Sequence, residues 1–200
     1  MQADWSVACG ADDPTVVIPW NDATGALRYI DLRTTPAAID QIPEAMQYPT
    51  LAAALRRWNQ PDVPIFTAKC DVWNYATDLF DAYDLPDFAH AQGSYIDLVP
   101  IDPALFSNFA ACEQQLKMWT ARAKSIALVE SRCEWTLRAA RIFPSSGPAS
   151  SLPKDGFATT LYVWGYGPTP ETAAAAWNDA LRALIEPVLQ GMHVEDRSNM

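Results

Sequence analysis

Histidine is nearly missing from these 200 residues, with only His90 and His193 present. Its ordinary pKa lies closest to neutrality of all side chains, so a Ser-His-Asp triad or histidine-based acid–base chemistry has few parts to draw on. Cysteine is scarce as well. Cys9, Cys70, Cys112 and Cys133 are scattered without a CxxC pair, which gives neither zinc-site nor thioredoxin-type spacing and leads us to expect reduced thiols. Basic residues number 14 against 24 acidic ones, a net charge of −10. A field of that sign repels phosphate backbones and anionic headgroups, so neither nucleic acid nor a membrane surface is an expected partner. No run approaches the ~18 apolar residues of a bilayer span. Met1 to Gly10 carries neither a basic n-region nor an apolar stretch of signal length, and a cytoplasmic location is the expectation. GxSxG, HExxH, Walker A and GxGxxG are all absent, and Gly165-Tyr166-Gly167 lacks the remaining glycine of a dinucleotide fingerprint. No cofactor and no metal are expected.

What the chain has in quantity is apolar and aromatic surface. Half of its residues are hydrophobic and eight are Trp, enough to bury a substantial core and to exclude a disordered chain. Three places share a pattern, an extended run opening with Tyr and then a helix beginning Thr-Pro or Asp-Pro. They are Tyr29 to Leu32 before Thr35-Pro36, Tyr95 to Leu98 before Asp102-Pro103, and Tyr162 to Trp164 before Thr169-Pro170. Thr or Asp caps the free N–H groups of a first turn, and Pro at the next position loses no hydrogen bond there. The steps from Thr35 to Asp102 and from Asp102 to Thr169 are both 67 residues. Lys69-Cys70-Asp71 and Arg132-Cys133-Glu134 then close the first two units alike. The spacing suggests an internal duplication within one α+β domain, with units at about 27–73 and 93–143 and a strand–helix unit at 157–190.

Apolar residues recur at three- and four-residue steps from Leu105 to Ala123 and from Ala173 to Val188, predicting two helices; a shorter one is expected at Leu51 to Trp58. A short strand is expected at Val16 to Trp20, and a hairpin of strands at about Ala127 to Phe143 and Phe157 to Gly165 around a Ser/Pro/Gly loop. This order resembles ferredoxin-like split βαβ units, a mostly antiparallel sheet with helices on one face.

Period-two alternation then assigns the other face. If Ile30, Leu32, Ile96 and Leu98 point at the helices, then Tyr29, Asp31, Tyr95 and Asp97 point away, together with Lys69, Asp71, Arg132, Glu134, Tyr162, Trp164 and Tyr166. Phe66, Ala68, Cys70 and Val72 are expected together on the apolar side of their strand, with both Cys70 and Cys133 as core packing. An open face mixing aromatics with charges of both signs is the candidate site, and three readings stand for it: solvated ion pairs, an interface, or a small-molecule or catalytic pocket. The leading expectation is a non-catalytic binding or interaction module that forms a homodimer through this face or binds another protein. One alternative is a small enzyme using Asp31 and Asp97 as an acid–base pair. Another is an acidic inhibitor or immunity-type protein, whose Asp78, Asp81, Asp84 and Asp87 would meet a basic partner.

Overall fold

Prolines and capping side chains set where the helices of this chain begin. The computed structural model describes residues 1–76, 88–144 and 152–190. Helices α1 (Pro43–Gln47) and α2 (Pro49–Trp58) both open on a proline, so Pro43 and Pro49 start helices where a break in one helix would also fit the sequence. Helix α3 (Pro103–Phe106) is capped by Asp102, whose carboxylate accepts from the Ala104 N–H. Asn108 caps α4 (Phe109–Lys124) in the same way, and this second cap divides in two the helix expected from Leu105 to Ala123. Helix α5 (Pro170–Leu189) begins in a capping box between Thr169 and Thr172.

Six strands form one mixed sheet: β1 (Gln2–Ala8), β2 (Val16–Ile18), β3 (Ile65–Ala76), β4 (His90–Pro100), β5 (Ser131–Ile142) and β6 (Lys154–Gly167). Their order is β1-β5-β6-β4-β3, with β2 beside the far half of β5. The four strands from β5 to β3 are antiparallel to their neighbours, whereas β1 and β2 run parallel to β5. β4 and β5 therefore run the same way with β6 between them, joined through α3 and α4. The protein is α+β, and among the described residues no helix is long and apolar enough to cross a membrane.

Helices α2, α4 and α5 cover one face. Their buried stripes meet Ile96, Leu98, Cys133, Trp135, Leu137, Leu161 and Val163 from the sheet. Three helix tryptophans are buried there, each with its indole N–H satisfied: Trp58 donates to the Ile185 carbonyl at 3.0 Å, Trp119 to the Val188 carbonyl at 2.9 Å, and Trp177 to the Ser94 hydroxyl at 2.9 Å. Helix α5 lies close on β6 because Gly165 has no side chain; a Cβ there would stand 2.0 Å from the Trp177 backbone nitrogen.

Two expectations are corrected. Tyr29 to Leu32 is not a strand, because Asp31 starts a turn: its carbonyl accepts from the N–H groups of Thr34 and Thr35, and its carboxylate from that of Arg33. The chain then enters a 3-10 helix at Pro36–Gln41, and Thr35 supplies no side-chain cap. The first of the three similar segments thus departs from the other two. The second correction is a β-bulge in β3. Thr67 lies opposite Leu98 and Cys70 opposite Ile96, so β3 spends three residues where β4 spends two. Phe66 and Ala68 therefore join Lys69 and Asp71 on the face away from the helices, while Thr67 falls with Cys70 and Val72 on the helix side. Asn59 fixes this irregularity: its amide donates to the Thr67 hydroxyl at 2.7 Å and its carbonyl accepts from the Thr67 N–H at 3.1 Å.

Candidate functional site

Among the described residues, one end of the face opposite the helices is covered. There Val16, Ile18, Phe66, Val99, Phe106, Ala140 and Ala158 close into a second apolar cluster, with Tyr29 packed against it. The chain after β2 runs over this end. Trp20 is anchored to the bulge through its indole N–H, which donates to the Ala68 carbonyl at 2.8 Å. The segment to Tyr29 doubles back on itself, Tyr29 N–H bonding the Trp20 carbonyl at 2.8 Å and Asp22 N–H the Leu27 carbonyl at 2.9 Å. Arg33 returns over the same cluster, its guanidinium 3.8 Å from the centre of the Phe66 ring.

Asp97 sits at the border between the apolar end and the rest. It is buried, and burial pushes its carboxyl up to about 6, against the Thr160 hydroxyl and the charges of Arg138 and Lys69, which favour the ionised form. Thr160 donates to Asp97 Oδ1 at 2.6 Å and accepts from Arg138 Nε at 3.0 Å; Arg138 Nη2 also reaches the Tyr162 hydroxyl at 2.9 Å. Asp31, its expected partner, is instead held bidentate by Arg33 at 2.9 and 2.8 Å. Burial works against that carboxylate, but the Arg33 contacts outweigh it and hold it below the usual range. The charges that bear on Asp97 are those of Arg138 and Lys69.

Beyond Asp97 the face is aromatic. Ring centres step from Trp73 to Tyr95 at 6.0 Å, from Tyr95 to Tyr162 at 6.2 Å and from Tyr162 to Trp164 at 5.6 Å, and the Arg132 guanidinium stands 5.7 Å from the Trp164 ring. Gly93 makes room for the row, since a Cβ there would meet the Trp73 and Trp164 indoles at 2.6 and 3.0 Å. Arg132 and Glu134 form an ion pair on β5, with Asp4 of β1 alongside. Tyr166, expected on this face, is buried and stacked on Phe88. Tyr29 is half-buried in the apolar end, and burial beside Asp31 pushes its hydroxyl up to about 12. Besides Asp97 and Tyr166, the expected face residues fall into three groups: Tyr29 and Asp31 in the covering segment, Lys69, Asp71 and Tyr95 at the β3 edge, and Arg132, Glu134, Tyr162 and Trp164 along the row.

The second group opens onto a cavity of about 510 Å³ between the bulged edge of β3 and the Trp20 to Leu32 segment, closed on a third side by Ile42, Pro43 and Glu44. The volume falls in the roughly 300–1,000 Å³ range of small-molecule sites. Lys69 projects into it with its ammonium 5.2 Å from the Trp20 ring centre and 6.0 Å from that of Tyr95. Burial, with Asp97 and Asp71 nearby, raises the Tyr95 hydroxyl above its ordinary value. Cys70 also lines the cavity, and burial pushes its thiol up to about 12, which disfavours the nucleophilic thiolate. Trp20, Arg28 and Glu44 were not legible as site residues, because they come from turns and a helix start that no period-two pattern reaches. Asp78, Asp81, Asp84, Asp87 and His193 lie outside the described residues. Among the described residues no group of His, Cys, Asp and Glu is arranged to hold a metal. Comparison with protein-family models, curated proteins and solved structures gives no match.

Proposed function

We propose that this protein is a non-catalytic binding module that takes a small molecule in the cavity at the bulged edge of β3. One observation carries the reading: the cavity combines ligand-sized volume with a lysine between two aromatic rings, Trp20 and Tyr95, and with apolar walls from Ile30, Leu32 and Ile42. The reading is tested by thermal unfolding against a panel of amino acids, organic acids, nucleosides and sugars. The expected result is a higher Tm with one class and no shift in an Ala26→Trp variant, whose indole would occupy the cavity. No shift with any compound at millimolar concentration overturns it. The acid–base alternative has less support, since Asp97 is buried and bonded to Thr160 and Asp31 is committed to Arg33.

A second reading is self-association through the aromatic row, favoured by the run Trp73, Tyr95, Tyr162 and Trp164 and by the enrichment of Trp, Tyr and Arg in interface hot spots. Sedimentation equilibrium in the micromolar range would then give a dimer that Trp164→Ser dissociates. A monomer at every concentration removes this reading and leaves the cavity reading intact. A ferredoxin-like relation also belongs here; it is supported by the order β5-β6-β4-β3 and by the parallel β4 and β5 with β6 between them.

A further inference from the structure

The cavity gathers charges of both signs that make no ion pair among the described residues: Arg28, Glu44, Lys69 and Asp71 all line it. Elsewhere Arg33 is matched with Asp31, Arg57 with Glu186, Arg132 with Glu134, Arg141 with Asp155 and Arg182 with Asp179, while scattered surface charges such as Lys124, Glu130 and Lys154 make no ion pair among the described residues; the cavity differs in gathering four such charges about one space. Asp22, which also lines the cavity, is committed to the Leu27 N–H and the Thr24 hydroxyl. Asp71 has one oxygen on the Val72 N–H and the other uncommitted. Glu44 and Arg28 make no side-chain hydrogen bond among the described residues, and the ammonium of Lys69 meets only ring faces.

We infer that the cavity takes a zwitterion with an apolar side group, chemically a free α-amino acid or a short peptide, with its carboxylate toward Lys69 and Arg28 and its ammonium toward Glu44 and Asp71. Two cations and two carboxylates, beside a third carboxylate, Asp22, whose oxygens are taken up within its own turn, stand about one apolar-walled space and match a ligand carrying one charge of each sign and a hydrocarbon portion. A ligand of single charge would use only one of the two pairs and leave the other to solvent. Arg28, Lys69 and Asp71 are exposed and Glu44 half-buried, so their charges serve to orient the ligand, while the apolar wall contributes through the area it removes from water. This inference rests on the proposed binding role of the same cavity and adds the class of ligand.

The test is isothermal titration with the free apolar amino acids, leucine and phenylalanine among them, followed by the N-acetyl and the carboxamide forms of the tightest. Each derivative removes one ligand charge and is expected to bind about tenfold or more weakly. Two exposed or half-exposed side chains supply the cross-check. Lys69→Gln should weaken the free amino acid and its N-acetyl form while leaving the carboxamide unchanged; Glu44→Gln should do the reverse, sparing the N-acetyl form. If the derivatives bind as tightly as the zwitterion, the class is wrong. If no amino acid binds while another compound in the thermal panel does, the zwitterion inference fails and the binding role stands. If nothing binds, both fall.

Discussion

Asp97 is the residue at which the chemistry of this face is most exposed to measurement. Its folded carboxyl lies at about 6 where an unfolded one lies at 3.8, so the folded state holds the proton more tightly. The favourable contribution is therefore fully present below the unfolded value and is lost as pH rises through the folded one. The gap corresponds to on the order of 3 kcal/mol. Asp97→Asn keeps the shape and an acceptor for the Thr160 hydroxyl while removing the charge. Chemical denaturation should show the variant and the parent equally stable below the unfolded value, diverging as pH rises through the folded one, with the variant more stable by about 1–3 kcal/mol above that range. A variant less stable than the parent at pH 8 would mean that Lys69 and Arg138 outweigh burial. That Tyr95 and Asp97 leave the helix side was legible, because β4 alternates without interruption. That Ala68 does so too was not, since the extra residue of a bulge leaves no mark in composition.

At the scale of elements, α5 is held at its C-terminal end by side chains from its neighbours. Trp58 of α2 and Trp119 of α4 donate to its last carbonyls, and Arg122 donates to those of Pro187 and Gln190. Trp119→Phe preserves most of the packing and removes one such bond; it is expected to cost about 1–3 kcal/mol, because the Val188 carbonyl is left buried. Equilibrium unfolding checks the size, and a change within error would show that the carbonyl finds another donor. The bulge in β3 offers a second check. Asn59→Ala removes both bonds to Thr67 and is expected to cost about 1–3 kcal/mol, with the loss of amide-exchange protection concentrated at Thr67 and its neighbours. Uniform loss across the sheet would show that Asn59 supports packing generally and not the bulge. The helices after Asp102 and Thr169 and the β5–β6 hairpin were legible from capping residues and alternation. Strand β1 was not, because Gln2 to Ala8 mixes small, charged and aromatic residues, and its pairing with β5 is parallel and 130 residues distant, as at Gln2 opposite Arg132. The strand expected at Tyr29 to Leu32 is absent for a local reason. The Asp31 carboxylate accepts from the N–H two residues ahead while its carbonyl accepts from those three and four ahead, and such short polar side chains offer the chain a turn in place of a ladder.

At the scale of the whole molecule, among the described residues the helices cover one face of the sheet and the segment after β2 covers one end of the other. What remains is a cavity made by tertiary structure alone: an edge strand thrown out of register, a doubled-back loop pinned to it by Trp20, and the start of a short helix. No stretch of sequence contains more than part of that arrangement, and so the open face was readable while the pocket at its edge was not. The measurement that bears most directly on it is a ¹H–¹⁵N correlation spectrum of labelled protein titrated with a free apolar amino acid. The expected shifts cluster at the Trp20 indole and at the amides of Arg28, Lys69, Cys70 and Asp71, saturate with added ligand, and spare α5 and the row at Tyr162 and Trp164. Shifts confined to that aromatic row, or a spectrum unchanged at millimolar ligand, would contradict a ligand site at the bulged edge of β3.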